Sequence, residues 1–327
     1  MNNRIRTIVQ ISFAIFLLYL GWQFSRFVSY YETGGYGALV DRPAGVEGFL
    51  PISALLGLKH WLVNGQFDPV HPAGLAILLA ILTISLLWRK SFCSWLCPVG
   101  TLSEGLGKLG RRITGRNLKL PRFLDLSLMS LKYLLLAFFM WSIFFAMSGQ
   151  AVQAFLYSPY NFIADVRMLK FFGNLSGTAV VVLGVLAIGS VFIRNFWCRY
   201  LCPYGALLGL VSLASPLRVA RQAEHCINCN KCTEACPNRI IVANATTVNS
   251  PECTGCMDCV QACPKPLALQ PRLPLRIGQV PPWIVAVLVV GTFLTFVLVA
   301  KLTGHWQTVL TVEDYRQLIP AWQNVNH

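Results

Sequence analysis

Charge is scarce in this chain. Only 12% of its 327 residues are charged, about half the share of a soluble domain, and acidic residues number 13 against 27 lysines and arginines. With a mean hydropathy of +0.56, that scarcity excludes an ordinary soluble fold. Histidine is also sparse. The five, His60, His71, His225, His305 and His327, avoid the centres of the apolar runs, so a haem held between span histidines is not expected. No phosphate-binding loop, no G-x-G-x-x-G after a strand and no flavin-attachment signal occur, so neither nucleotide nor flavin is expected. No cysteine lies outside four metal-type motifs, which leaves none for disulfides.

Five apolar runs have membrane-span character, at 7–27, 72–88, 126–147, 176–193 and 282–300, against a span requirement of roughly 17–25 residues. The second is short, and the stretch Phe49 to Val63 before it reads as an interfacial or re-entrant helix. The first run follows Arg4 and Arg6 but continues into Trp22, Gln23 and Phe24 with no small-residue cleavage site. It reads as an uncleaved span rather than a signal peptide.

The net charge of +14 is a matter of orientation rather than of nucleic-acid binding. Segment 89–123 carries Arg89, Lys90, Lys108, Arg111, Arg112, Arg116, Lys119 and Arg122 against Glu104 alone. Segment 194–276 has nine basic and four acidic residues, whereas 28–72 has Arg42 and Lys59 against Glu32, Asp41, Glu47 and Asp68. Basic loops stay in the cytoplasm. The expected arrangement is a multi-pass protein of the bacterial inner membrane. Its N-terminus, 89–123 and 194–276 are cytoplasmic, and the tail after Lys301 is outside. Every cysteine then faces a reducing compartment.

Eight cysteines form two C-x2-C-x2-C-x3-C-P runs: Cys226, Cys229, Cys232, Cys236 with Pro237, and Cys253, Cys256, Cys259, Cys263 with Pro264. One C-x2-C pair is a weak signal and fits zinc. Two complete runs specify a bacterial two-cluster ferredoxin, in which the fourth cysteine of each run serves the other cluster. Cluster I therefore takes Cys226, Cys229, Cys232 and Cys263, and cluster II takes Cys253, Cys256, Cys259 and Cys236. Ile240–Val242 and Thr246–Val248 read as short strands between the runs. Lys231, Arg239 and Lys265 flank ligands, as tuning charges, solvated surface or partner contacts.

The other four cysteines repeat a C-x3-C-P motif 105 residues apart. Phe92-Cys93-Ser94-Trp95-Leu96-Cys97-Pro98-Val99-Gly100 matches Trp197-Cys198-Arg199-Tyr200-Leu201-Cys202-Pro203-Tyr204-Gly205. Each follows a span and a basic residue, so a duplicated helical hairpin is expected. Cysteines four apart share one helix face, and the proline ends helical geometry at the residue before it. Two such turns supply four thiols. Three readings stand: a third [4Fe–4S] cluster, redox-active or transient metal-binding thiols, or small buried apolar side chains.

A lipid quinol is the expected membrane donor to such a relay. Quinol oxidation needs an apolar slot, polar groups for its oxygens and a proton acceptor. The outer loops offer Glu47, Lys59, His60, Asp68, His71 and Asp165, either as quinone contacts or as ordinary interfacial polar residues. An outer site lies about 30 Å from cytoplasmic clusters, too far for one tunnelling step. Lys132 is an intramembrane charge, and so either functional or snorkelling to the inner surface.

The combination FCSWLCPVG, WCRYLCPYGA and CINCNKCTEACP…CTGCMDCVQACP resembles the NapH/NosR-type polyferredoxin membrane proteins. These include the membrane quinol-dehydrogenase subunit of periplasmic nitrate reductase systems. The resemblance covers about residues 5–270. It implies four membrane helices, two cytoplasmic [4Fe–4S] clusters and transfer of electrons from quinol to a respiratory reductase or other redox partner.

Residues 271–327 depart from that pattern with a linker (Pro271, Pro274, Pro281, Pro282), a fifth span and a short tail. That layout resembles FixG/CcoG-type proteins, which implies the alternative of a copper reductase in cofactor assembly. A folded domain follows the fifth span in those proteins, but here 26 residues remain after Lys301. A membrane redox sensor is the third reading. The tail, with Trp306, Tyr315 and Trp322, reads as an interfacial helix or a docking segment. The fold expected is an all-α membrane bundle of five helices with an inserted α+β ferredoxin module: 1–215 membrane domain, 216–270 ferredoxin domain, and 271–327 linker, fifth helix and tail.

Overall fold

A computed structural model describes residues 2–115, 117–265, 267–273 and 281–325. Arg116, Pro274 and His327 lie outside the described residues. The chain is mostly helical. Among the described residues, three segments are long and apolar enough to cross a membrane. They are Arg4–Glu32 in α1 (Asn2–Glu32), Arg122–Ala146, and Trp283–Leu302 in α15 (Pro282–Leu302). The second joins α6 (Arg122–Trp141) to a π-helical turn at Ser142–Ala146. A fourth crossing forms if α9 (Ala164–Gly173) and α10 (Gly177–Phe192), bent by 80°, count as one. The apolar α3 (Pro72–Trp88) has 17 residues, about 26 Å against a hydrocarbon core of about 30 Å. Of the five spans expected, the described residues thus show three, or four with the bent pair, and the second apolar run forms a helix shorter than a span.

By packing, the chain divides into two compact units. One comprises residues 1–14, 81–137 and 181–293, and the other comprises 15–80, 138–180 and 294–327.

The first unit holds all twelve cysteines. Two apolar helices end at left-handed residues, α3 at Arg89 (φ 63°) and α10 before Asn195 (φ 58°). Each break leads into a short helix carrying the first C-x3-C-P cysteine, α4 (Phe92–Trp95) and α11 (Phe196–Tyr200). Cys97 (ψ 119°) and Cys202 (ψ 103°) are extended, as a residue before proline must be, and each caps a new helix with proline first: α5 (Pro98–Thr114) and α12 (Pro203–Val211). α5 lies against α10 through glycine, because a Cβ on Gly110 would sit 1.8 Å from the Val191 carbonyl oxygen.

The ferredoxin module in this unit has a three-stranded antiparallel sheet in the order β2-β1-β3, with β1 Arg218–Arg221, β2 Thr247–Val248 and β3 Leu269–Arg272. The strand expected at Thr246–Val248 is present as β2. Ile240–Val242 is not a strand. The Ile240 N–H is drawn to the Cys236 sulfur at 3.4 Å, and the chain turns so that Val242 N–H donates to the Ile240 carbonyl. Pro271, read as linker, pairs with Val219 in edge strand β3, where a missing N–H is tolerated.

The second unit packs α2 (Pro51–Asn64), α7 (Gly149–Leu156), α8 (Pro159–Phe162), α9 and α16 (Val312–Leu318) with the second half of α1. Its core joins Phe24, Phe27, Val28, Tyr31, Val46, Ile163 and Val166 to Tyr315 and Ile319. α16 is fixed by a capping box between Thr311 and Asp314. The tail is therefore packed on its own chain through Tyr315 and Ile319.

Candidate functional site

The two C-x2-C-x2-C runs fold alike. In each, the second and fourth residues after the first cysteine are left-handed: Asn228 (φ 52°) and Asn230 (φ 59°) in one, Gly255 (φ 59°) and Met257 (φ 62°) in the other. Asparagine and glycine accept that region readily, and methionine does not. A short helix then carries the third cysteine, α13 (Lys231–Ala235) or α14 (Asp258–Ala262). The fourth cysteine is extended before its proline, Cys236 with ψ 118° and Cys263 with ψ 120°.

Cys236, Cys253, Cys256 and Cys259 line one cavity with Val219, Ile240, Val242, Val248 and Met257. These are the four cysteines assigned to cluster II, with the fourth crossing from the other run. Burial, reinforced by the neighbouring thiols, pushes Cys259 well above its ordinary pKa, and burial raises Cys256 and Cys236 likewise. In the other group Cys232 is raised by burial and senses Cys263, again across the runs. Cys226 is lowered instead, chiefly by a backbone N–H at Asn228 and then by Arg221.

The C-x3-C-P cysteines, separate in sequence, come together. Burial drives Cys93 up to about 12 against the pull of Lys90, with Cys97 and Cys202 adding repulsion. Burial takes Cys97 to about 11, and Cys198 is well above its usual value through burial and then Cys202, Cys97 and Cys93. Desolvated thiols in each other's field, as at Cys93, Cys97 and Cys198, resist ionisation unless cations neutralise them. Lys90 is 4% exposed, and its Nζ is 3.6 Å from the Cβ position of Gly205, where the Cys202 sulfur also lies at 3.5 Å. The Gly205 N–H donates to the Cys202 sulfur at 3.2 Å.

Among the described residues, no three His, Cys, Asp or Glu side chains converge as a single-ion site. A cubane takes its four thiolates at its corners rather than at one point, so sulfurs spread around a cavity suit it. The donor chemistry, the lined cavity and the N–H donors to sulfur fit [4Fe–4S] clusters.

Lys132 does not snorkel. It is fully buried, and its Nζ donates to both Glu252 oxygens at 2.7 Å, beside Cys253. Tyr133 donates to the same carboxylate at 2.9 Å. Arg239, one of the cations flanking the ligands, pairs with Asp125 at 3.3 Å. The sequence reading did not single out Glu252 or the Asp125–Arg199 pair at 2.6 Å. A membrane-span lysine in a chain with 13 acids was the available signal for Glu252.

In the second unit the candidate quinone residues are drawn into a buried polar network. Arg42 bridges Glu47 at 2.8 Å and Asp165 at 2.6 Å. The other Glu47 oxygen accepts from the Gly74 N–H. His71 donates through Nε2 to the Asn161 carbonyl at 2.7 Å, so Nδ1 faces Glu47 at 3.5 Å. Burial opposes the imidazolium, but the Glu47 carboxylate outweighs it and raises His71. Burial acts against the Glu47 charge too, and Arg42 with His71 overcomes it and lowers that pKa. Burial raises Asp68, whose Oδ1 accepts from Val70 and His71 N–H groups.

Lys59 is occupied elsewhere, donating to the carbonyls of Ile143, Phe144 and Met147 where the helix breaks. His60 accepts from Asn64 at 2.9 Å through Nδ1. Its Nε2, the Asp68 Oδ2 and the His71 Nδ1 are buried without a hydrogen-bond partner.

Two family descriptions match this chain. "4Fe-4S binding domain" matches twice, at residues 70–117 and 175–220, and "4Fe-4S dicluster domain" matches 218–264. The "Putative electron transport protein YccM" of Escherichia coli K12 is 44% identical over 95% of this chain and 88% of its own length. The "Ferredoxin-type protein NapH" of the same organism is 23% identical over 58% of this chain and 61% of itself. The "Regulatory protein NosR" of Pseudomonas aeruginosa is 31% identical over 46% of this chain and 21% of itself. No solved structure matches.

Proposed function

This chain belongs to the ferredoxin-type 4Fe–4S membrane proteins, and we propose that within that family it passes electrons from the quinol pool to a respiratory reductase. Cys226, Cys229, Cys232 and Cys263 hold cluster I. Cys253, Cys256, Cys259 and Cys236 hold cluster II. Cys93, Cys97, Cys198 and Cys202 hold a third. Bound there, such clusters supply one-electron exchange without proton transfer.

The observation that carries this reading is that Cys93, Cys97, Cys198 and Cys202, from turns 105 residues apart, lie in one another's field with the Lys90 ammonium beside them. The double match of one 4Fe-4S description to those two segments supports it. The same match, with the like caps at Cys97 and Cys202, supports a duplicated hairpin, with the short α3 and the bent α9–α10 pair as spans two and four and α15 as the fifth.

The chain's own residues bind and set charge. Lys90 and Lys132 offset the negative charge of thiolates in a dry site. The Gly205 and Ile240 N–H groups donate to sulfur and favour the reduced state. At the proposed outer face, His71 carries the proton of the pair, its imidazolium held by the Glu47 carboxylate. Asp68 and His60 present unpartnered polar atoms suited to a quinol oxygen and its proton. The basic loops support a cytoplasmic cluster module and an outer tail, in the inner membrane.

The test is anaerobic addition of a menaquinol or ubiquinol analogue to the full-length protein in lipid nanodiscs, followed by low-temperature EPR. Signals of reduced cubane clusters are expected. Clusters that dithionite reduces but quinols leave oxidised, with the native partner present, refute the quinol donor.

A further inference from the structure

The two ferredoxin runs share one backbone but have opposite surroundings. The Cys253–Cys259 run is bound directly to the first C-x3-C-P turn and, through Asn238 and the preceding Glu252, to the second. Next to Cys93, the Ser94 hydroxyl donates to the Thr254 carbonyl at 2.6 Å and the Trp95 indole to the Gly255 carbonyl at 3.2 Å. Next to Cys198, Arg199 donates to the Asn238 carbonyl at 2.7 Å, and the Asn238 amide donates to the Glu252 carbonyl at 2.7 Å. The approach is close enough to dictate residue type. A Cβ on Gly255 would lie 2.3 Å from the Ser91 hydroxyl, and one on Gly209 would lie 2.6 Å from the Pro251 carbonyl. The position equivalent to Gly255 in the other run is Asn228, which is exposed.

The remaining differences between the runs follow the same division. Met257 is 2% exposed, while its counterpart Asn230 is open to solvent. Asp258 pairs with Arg6 at 3.2 Å and Arg194 at 3.5 Å, while its counterpart Lys231 is exposed. Cys256 is buried and Cys229 is exposed. Ile227, between two ligands, is 57% exposed. Among the described residues, the hydrogen bonds of 223–232 outside α13 stay within 221–234.

We infer that the module is polarised: the Cys253–Cys259 run receives electrons from the C-x3-C-P site through the Ser94, Trp95 and Arg199 contacts. The Ile227–Lys231 loop is the port through which they leave to a soluble one-electron acceptor protein. This rests on the electron-carrier reading above. Each transfer moves one electron outward and no proton. The acceptor is reduced by one electron, and the site behind the port is oxidised by one. The uncharged centre of the port, Ile227, Asn228 and Asn230, suits close approach of a partner. Ser94, Trp95 and Arg199 are positioning residues, since they hold the ligand loop without touching a reacting atom.

The test is stopped-flow oxidation of the dithionite-reduced full-length protein by two small oxidants of opposite charge, ferricyanide and hexaamminecobalt(III). Lys231→Glu slows ferricyanide roughly fivefold and speeds the cobalt complex by a similar factor, as Coulomb and screening estimates at short range give. Arg111→Glu, at an exposed position of α5, changes neither. Opposite responses to the two oxidants separate access at the port from a shift in cluster potential, which moves both rates the same way. Normal redox cycling with rates indifferent to Lys231, or equally sensitive to Arg111, overturns the port alone. A chain whose cluster absorbance does not cycle overturns the electron-carrier reading and the port with it.

Discussion

Replacing the fully buried Lys132 with methionine removes the ammonium from a buried pair and keeps most of the side-chain volume. Glu252 then retains Tyr133 as its side-chain donor at 2.9 Å and loses two contacts at 2.7 Å. Its carboxylate is 10% exposed, too little for water to replace the lysine. Breaking a buried pair from one side costs about 3–5 kcal/mol, or roughly two to four orders of magnitude in an equilibrium constant. Unfolding of such a protein is irreversible, so the assay is the rate at which cluster absorbance is lost in graded denaturant. Lys132→Met accelerates that loss. The double variant with Glu252→Gln loses clusters more slowly than the two single effects predict together, by a coupling of about 0.5–3 kcal/mol. Strict additivity, or wild-type loss rates in Lys132→Met, refutes the view that this pair holds the cluster module onto the α6 helix.

Gly110→Ala drives a Cβ into the Val191 carbonyl, at 1.8 Å, and costs about 1–3 kcal/mol. Gly105→Ala, on the same helix, meets nothing within 4 Å and gains up to about 1 kcal/mol; thermal inactivation compares them. His71, raised by Glu47, gives stability fully present below about pH 6.5 and lost as pH rises through its higher folded value. Thermal melts across that window by tryptophan fluorescence therefore fall more steeply in wild type than in His71→Gln. Trp95→Phe keeps the ring but leaves the Gly255 carbonyl unpaired, at about 1–3 kcal/mol, read as faster cluster loss that Tyr133→Phe in the same assay calibrates.

Local spacing made the cysteine motifs legible, because ligand turns are short-range structures. The prolines after Cys97 and Cys202 announced two residues out of helical geometry, and both are extended; Cys236 and Cys263, also before prolines, are extended for the same reason. Span count was less legible. Asn174–Ser176 bends one apolar region by 80°, and α3 falls a few residues short by length alone. The strand at Leu269–Arg272 was hidden by Pro271, a residue that strands rarely carry except at an edge. Long-range pairings were beyond the pattern. Nothing near Glu252 points to Lys132, 120 residues away, and Arg42 gave no sign of holding Glu47 and Asp165 together. The tail's Trp306, Tyr315 and Trp322 suggested an interfacial helix or a docking segment, with no sign in the sequence that Tyr315 meets Phe27 at 5.2 Å between ring centroids.

The central claim is that the C-x3-C-P turns complete the relay with a third cluster inside this chain. Iron and acid-labile sulfide per chain, with EPR, in wild type and in Cys93→Ser/Cys198→Ser measure it directly. The account predicts about twelve irons falling to about eight, three cubanes of four irons becoming two. About eight in both proteins contradicts it.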